Sequence, residues 1–136
     1  MPMLDAKEQY ALAALVYMAR RYDARHPEEP VRLEEIAQAT GAPPTYLSTL
    51  LPRLKRVGAV GSIQGRTGGY HLLRPPERIS VAEVLTALAR RSRRRAGRFT
   101  IEAGCRRALD WLSDEMEATR RAALRQVSLA DLAARL

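Results

Sequence analysis

Cys105 is the only cysteine in the chain, which excludes an internal disulfide framework and any metal site built from several cysteines of one copy. Histidine is nearly as scarce: His26 falls in a loop and His71 in a candidate strand, neither with a second ligand at metal spacing. Aromatic residues make up only 5%, so a core must be assembled from Leu, Ala and Val. No apolar run approaches the roughly 20 residues that a bilayer requires, and no signal-peptide core opens the sequence; both predict a cytoplasmic protein without membrane contact. No nucleophile stands beside a base, and no metal pair or phosphate loop is present, so nothing points to an enzyme. Acid is also in short supply, with 15 Asp and Glu against 23 Lys and Arg, a net charge of +8. In a chain of 136 residues that imbalance favours a polyanionic partner, because neutralised phosphates release counterions.

What is present centres on residues 33–73. Glycines at 41 and 58 sit where left-handed residues end helices, and Pro43-Pro44 can only begin one, so 33–39 and 44–57 read as two helices around a tight turn. This is helix-turn-helix spacing. Leu33 and Ile36 should face the core from the first helix, and Leu47, Leu50, Leu51 and Leu54 recur at helical spacing in the second. The other face of that second helix carries Thr45, Tyr46, Ser48, Thr49 and Arg53. Short polar groups there suit base edges, whereas Arg53, Lys55 and Arg56 suit phosphates. Pro52 lies inside the helix and cannot donate a backbone hydrogen bond, which predicts a kink or a tightened turn near Ser48.

Two short apolar runs joined by a glycine-rich turn follow, from Ala59 to Leu73. They read as a β-hairpin wing anchored by Tyr70, Leu72 and Ile63, with Arg66 at a slender tip able to enter a minor groove. The fold class expected is mainly α with a small β-hairpin: a winged helix-turn-helix domain plus a long dimerisation helix. Residues 1–79 form the DNA-binding part and 80–136 the helical part, packed as one compact unit.

Upstream, Asp5 and Glu8 form a capping box for a helix over 5–23, with Leu12, Leu15, Val16 and Ala19 as its apolar stripe. Downstream, Ser80 and Glu83 cap another helix whose Val81, Val84, Leu85 and Leu88 point inward. Residues 90–98 are an arginine-dense loop, where like charges resist packing. A helix over about 100–127 then carries Cys105, Leu109, Leu112, Met116, Thr119 and Ala123 at coiled-coil spacing, a seam so small a domain cannot bury alone. A homodimer through this helix follows, with Trp111 off the seam and packed on the body. Ser128 opens a last short helix whose Leu129 and Leu132 fold back.

These residues resemble the Rrf2 family of bacterial regulators over nearly the whole chain. The likeness rests on Lys7-Glu-Gln-Tyr10-Ala-Leu, Glu35-Ile-Ala37, Thr45-Tyr46-Leu47 with Leu50, and Gly58-Ala-Val60. It continues through Gly65, Gly68-Gly69-Tyr70, Pro75-Pro-Glu77, Ile79-Ser-Val81, Glu83-Val84, Trp111 and Ser128-Leu-Ala-Asp-Leu132. The resemblance implies a dimeric winged-helix protein on a partly palindromic operator in double-stranded DNA, usually a repressor. Carried onto this chain, the DNA-binding set is Thr45, Tyr46, Ser48, Thr49, Arg53, Gln64, Arg66, Thr67, Gly68 and Gly69.

The departures are as informative. Of the three cysteines that hold a cluster in some members only Cys105 matches, and Ala108 stands where one branch keeps a histidine. An iron–sulfur cluster needs about four protein ligands, mostly thiolates, so no cluster or other cofactor is expected. Cys105 is then either a small seam residue or a lone redox thiol. Gln64 replaces the wing arginine, Arg66 a proline and Ser48 a frequent glutamate, so the base preference should differ. A rival reading makes the winged helix a platform for a regulatory protein partner, with weak, sequence-independent DNA binding.

Overall fold

The computed structural model describes residues 4–89 and 101–136. Its order is α1 (Ala6–Arg21), α2 (Leu33–Thr40), α3 (Pro44–Arg56), β1 (Val60–Ile63), β2 (Gly69–Leu72), α4 (Val81–Leu88), α5 (Ala103–Leu124) and α6 (Leu129–Ala133), with a 3₁₀ turn at Pro76–Arg78. It is thus mostly helical with one antiparallel hairpin, in which Val60 faces Leu72 and Ile63 faces Gly69. The arginine-dense stretch 90–98 lies outside the described residues, as does residue 100, while the long helix expected over about 100–127 begins at Ala103 behind its cap Glu102 and ends at Leu124.

Three helices begin with reciprocal capping boxes: Asp5 with Glu8, Ser80 with Glu83, and Ser128 with Asp131. Each satisfies otherwise orphaned amides at a helix start. The core gathers Leu15, Ile36, Leu47, Leu51, Leu54, Val60, Val84, Leu88 and Leu129, all fully enclosed. Every leucine expected inward in α3 is there, and so are Val81, Val84, Leu85 and Leu88 of α4.

The C-terminal segment closes the core through backbone bonds. The amide of Leu129 donates to Ile79 O at 3.0 Å and that of Val81 to Val127 O at 2.8 Å, so α6 is fastened to the segment entering α4.

The structure differs from sequence expectation at several points. In α1 the buried face is Ala11, Leu12, Ala14, Leu15 and Met18, with Val16 and Ala19 only half-buried. α1 packs against α2, α4 and α6, so it needs a wider buried face than one stripe. Leu33 is half-buried. Ile63 is exposed because its partner Gly69 offers no side chain to cover it. α3 remains an uninterrupted α-helix through Pro52, held on four buried leucines, so no tightened turn forms near Ser48. Trp111 is 64% exposed: Leu124, at the far end of α5, is where that helix meets the main cluster, and Trp111 lies over three turns away.

Candidate nucleic-acid interface

Gly41 ends α2 at φ 78°, a left-handed residue that costs a side chain strain but glycine little. Pro44 then occupies the first turn of α3, where its missing N–H is no loss. The result is a helix anchored by leucines on one side and exposing Thr45, Ser48, Thr49, Lys55 and Arg56 on the other.

Tyr46 departs from this pattern. It is half-buried, its ring edge-on to Tyr10 with centroids 5.5 Å apart, so it braces the helix on α1. Arg53 is half-buried as well. The Ser48 hydroxyl donates to Thr45 O at 2.6 Å and the Thr49 hydroxyl to Tyr46 O at 2.7 Å.

The wing is built by close backbone approach. Gly68 N–H donates to Gly65 O at 3.1 Å, making a tight turn with Arg66 and Thr67 at its centre, both exposed. A Cβ at Gly68 would lie 2.0 Å from Ile63 O, and one at Gly69 2.3 Å from Val31 O. Any side chain at either position would displace backbone. Both glycines therefore let the chain pass close, in Gly69's case so that Val31 can join the hairpin. Val31 and Tyr70 exchange bonds of 2.7 and 2.8 Å, a single-residue bridge that ties the wing to the segment entering α2.

That bridge places Arg32 beside the wing, on a groove of about 300 Å³ shared with Gln64, Arg66 and Ser62. Sequence reading missed Arg32 because a single-residue bridge leaves no periodicity to detect. The chain also gave no sign that Lys55 Nζ donates to Ser62 Oγ at 2.7 Å, tying α3 to β1. Behind the interface, Glu35 of α2 accepts bonds from the Tyr17 hydroxyl and the Arg21 guanidinium of α1. The bond to Glu35, with burial second, pushes the Tyr17 phenol above its ordinary value. Arg32, Arg53, Lys55, Arg56 and Arg66 make the surface cationic, and Glu34 approaches Arg32 at 3.9 Å.

The seam residues Cys105, Leu109, Leu112, Met116, Thr119 and Ala123 are all exposed. No described residue of α5 is buried. Met116, Thr119 and Ala123 line an apolar groove of about 710 Å³ together with Leu4, Leu12, Val81 and Leu132. Arg120 crosses beside it to Glu8 at 3.3 Å.

A leucine-seated polar helix joined to a glycine-tipped hairpin is a winged helix-turn-helix, the fold of DNA-binding transcriptional regulators. The chain belongs to the Rrf2 family, described as iron-dependent transcriptional regulators, whose pattern matches residues 4–135. The regulator IscR of Xenorhabdus nematophila is 39% identical over 85 residues, which cover 62% of this chain and 49% of that one. IscR of Cereibacter sphaeroides is 36% identical over 62% of this chain and 54% of its own. The match thus spans about half the length of these curated relatives. Among solved structures, CymR, the global cysteine regulator of B. subtilis, aligns with a TM-score of 0.71 at 26% identity, covering 100% of this chain and 99% of that one. IscR of T. potens aligns at 0.68 and 26%, covering 96% and 85%. These relatives are regulators and not enzymes. Among the described residues no helix is long and apolar enough to cross a membrane.

The iron in the family's description finds no matching donor set among the described residues. Cys105 sits in the first turn of α5, its amide held by the Glu102 carboxylate at 3.0 Å. Among the described residues no three His, Cys, Asp or Glu side chains gather at metal-binding geometry, and residues 90–100 contain none of these types. A cluster requires about four ligands, mostly thiolates, and these residues do not fit one.

Proposed function

We propose that this chain is a homodimeric, sequence-specific regulator of transcription, acting in the cytoplasm as a repressor on a partly palindromic operator, without an iron–sulfur cluster. The observation that carries the reading is the pairing of an exposed, cation-flanked α3 with an α5 whose whole apolar seam lies open. Thr45, Ser48 and Thr49 read bases, Tyr46 holds the helix in place, and Arg53, Gln64, Arg66 and Thr67 contact backbone or minor groove. Gly68 and Gly69 shape the wing that presents them. Residues 1–79 act as the DNA-binding part and 80–136 as the dimerising part of one compact unit.

Dimerisation through Cys105, Leu109, Leu112, Met116, Thr119 and Ala123 removes apolar surface from water, the main driving force for such association. Two-fold symmetry sets the recognition helices in major grooves about 34 Å apart or a multiple of that. Bound over a promoter, such a dimer represses by occupancy alone.

The test is recovery of genomic DNA fragments by the purified dimer at about 150 mM salt, where phosphate contacts alone bind weakly. A few enriched palindromic sites support the proposal. Uniform, salt-sensitive recovery overturns it and favours control through a protein partner.

A further inference from the structure

We infer that a cavity where α1, α4 and α5 meet is a binding site for a small organic carboxylate with an apolar body. The cavity measures about 520 Å³, within the range that small ligands occupy. No residue of α3 or of the wing lines it. Part of its lining is apolar, from Ala82, Leu85 and Leu88 of α4 and Leu124 of α5. The rest is mostly charged, with Asp5, Lys7 and Glu8 at the start of α1 and Glu117, Arg120 and Arg121 on α5.

The two signs are equal in number but not in what they have left to offer. Asp5 accepts from the Glu8 amide at 2.7 Å, and Glu8 accepts from the Asp5 amide at 3.0 Å and from the Arg120 guanidinium at 3.3 Å. Glu117 lies 3.8 Å from that same guanidinium. All three acids therefore have a donor, and Arg120 is held between two of them. Lys7 and Arg121 form no hydrogen bond or ion pair with another described residue. Lys7 also stands in the first turn of α1, where the field of the helix already favours an anion. A carboxylate answers both cations: its plane matches the guanidinium fork, and the ammonium adds a point charge. The leucines require an apolar remainder, which a purely polar anion lacks. The occupant would touch α1, on which α2 and α3 pack, and α5, which carries the open seam.

The experiment titrates the full chain with straight-chain carboxylates from butanoate to decanoate and with benzoate, read by calorimetry and by the denaturation midpoint. The matching amides, alike in shape but uncharged, and acetate, charged but without the body, are the controls. Saturable binding at millimolar or lower concentration is expected for at least one carboxylate, about tenfold tighter than its amide or acetate. Lys7→Gln and Arg121→Gln should each weaken it about five- to tenfold while the midpoint of the unliganded chain stays unchanged. Thr86→Trp, at an exposed position of the lining, should block it by filling the cavity. No saturable binding below about 10 mM, equal binding of the amides, or binding untouched by all three variants overturns the inference. The last result would move the ligand to the apolar groove beside the α5 seam. Operator recognition stands or falls separately, since its test involves none of these residues.

Discussion

α3 and α5 are both amphipathic, leucine-bearing and rich in arginine, yet they differ in what completes them. α3 spends 13 residues and encloses four leucines within its own chain, whereas α5 spends 22 and encloses none. The apolar stripe of α3 was matched by α1, α4 and β1, which fold around it. The stripe of α5 faces outward, with Leu112 and Met116 46% and 65% exposed. A hydrophobic stripe therefore does not say whether it will be buried by its own chain or by another. In this protein α3 is finished by its own core, and the long helix leaves its apolar stripe open.

The sharpest way to break the contrast is to damage each stripe separately. Leu54→Ala removes a fully buried side chain and should destabilise the fold by about 2–5 kcal/mol, read as a lower denaturation midpoint. Replacing Leu112 and Met116 together with glutamate should leave helix content and the reading head unchanged. It should weaken dimer association on the order of a hundredfold, since unpaired charge would be forced into the seam. Sedimentation equilibrium checks this, and a variant that stays dimeric removes α5 from the interface.

Smaller effects sharpen the comparison. Arg66→Ala, at the wing tip, should reduce DNA affinity several-fold and lower the salt slope by about one; unchanged binding across salt concentrations would take Arg66 out of the contact set. Acid should then affect the starts of α4, α5 and α6 before α3. Burial pushes the Glu83 carboxyl up, but bonds from Ser80 and Arg74 outweigh it and hold it below its ordinary value. Amides of Gly104 and Cys105 lower Glu102, and the amide of Ser128, followed by its hydroxyl, lowers Asp131. A carboxyl depressed in the folded state stabilises it above the unfolded pKa and loses that contribution as pH falls through the folded one. Amide protection, taken relative to the intrinsic exchange rate at each pH, should thus fall first at the starts of α4, α5 and α6 between roughly pH 5 and 3. Earlier opening of α3 would contradict this ordering.

The capping boxes at Asp5, Ser80 and Ser128 and the four leucines of α3 were legible along the chain because each is a local pattern: a cap needs three residues, a stripe two turns. The same holds for the winged-helix order and for the open seam of α5. Other features join residues far apart in sequence, and only tertiary structure decided them. Tyr46 stands on the polar face of α3 in the sequence, and only the fold set its ring edge-on to Tyr10 of α1. Trp111 was left outside because α5 meets the main cluster at Leu124. Arg32 joined the wing only because Val31 pairs with Tyr70. Periodicity specifies which face of a helix is apolar, while packing between distant segments decides what that face meets.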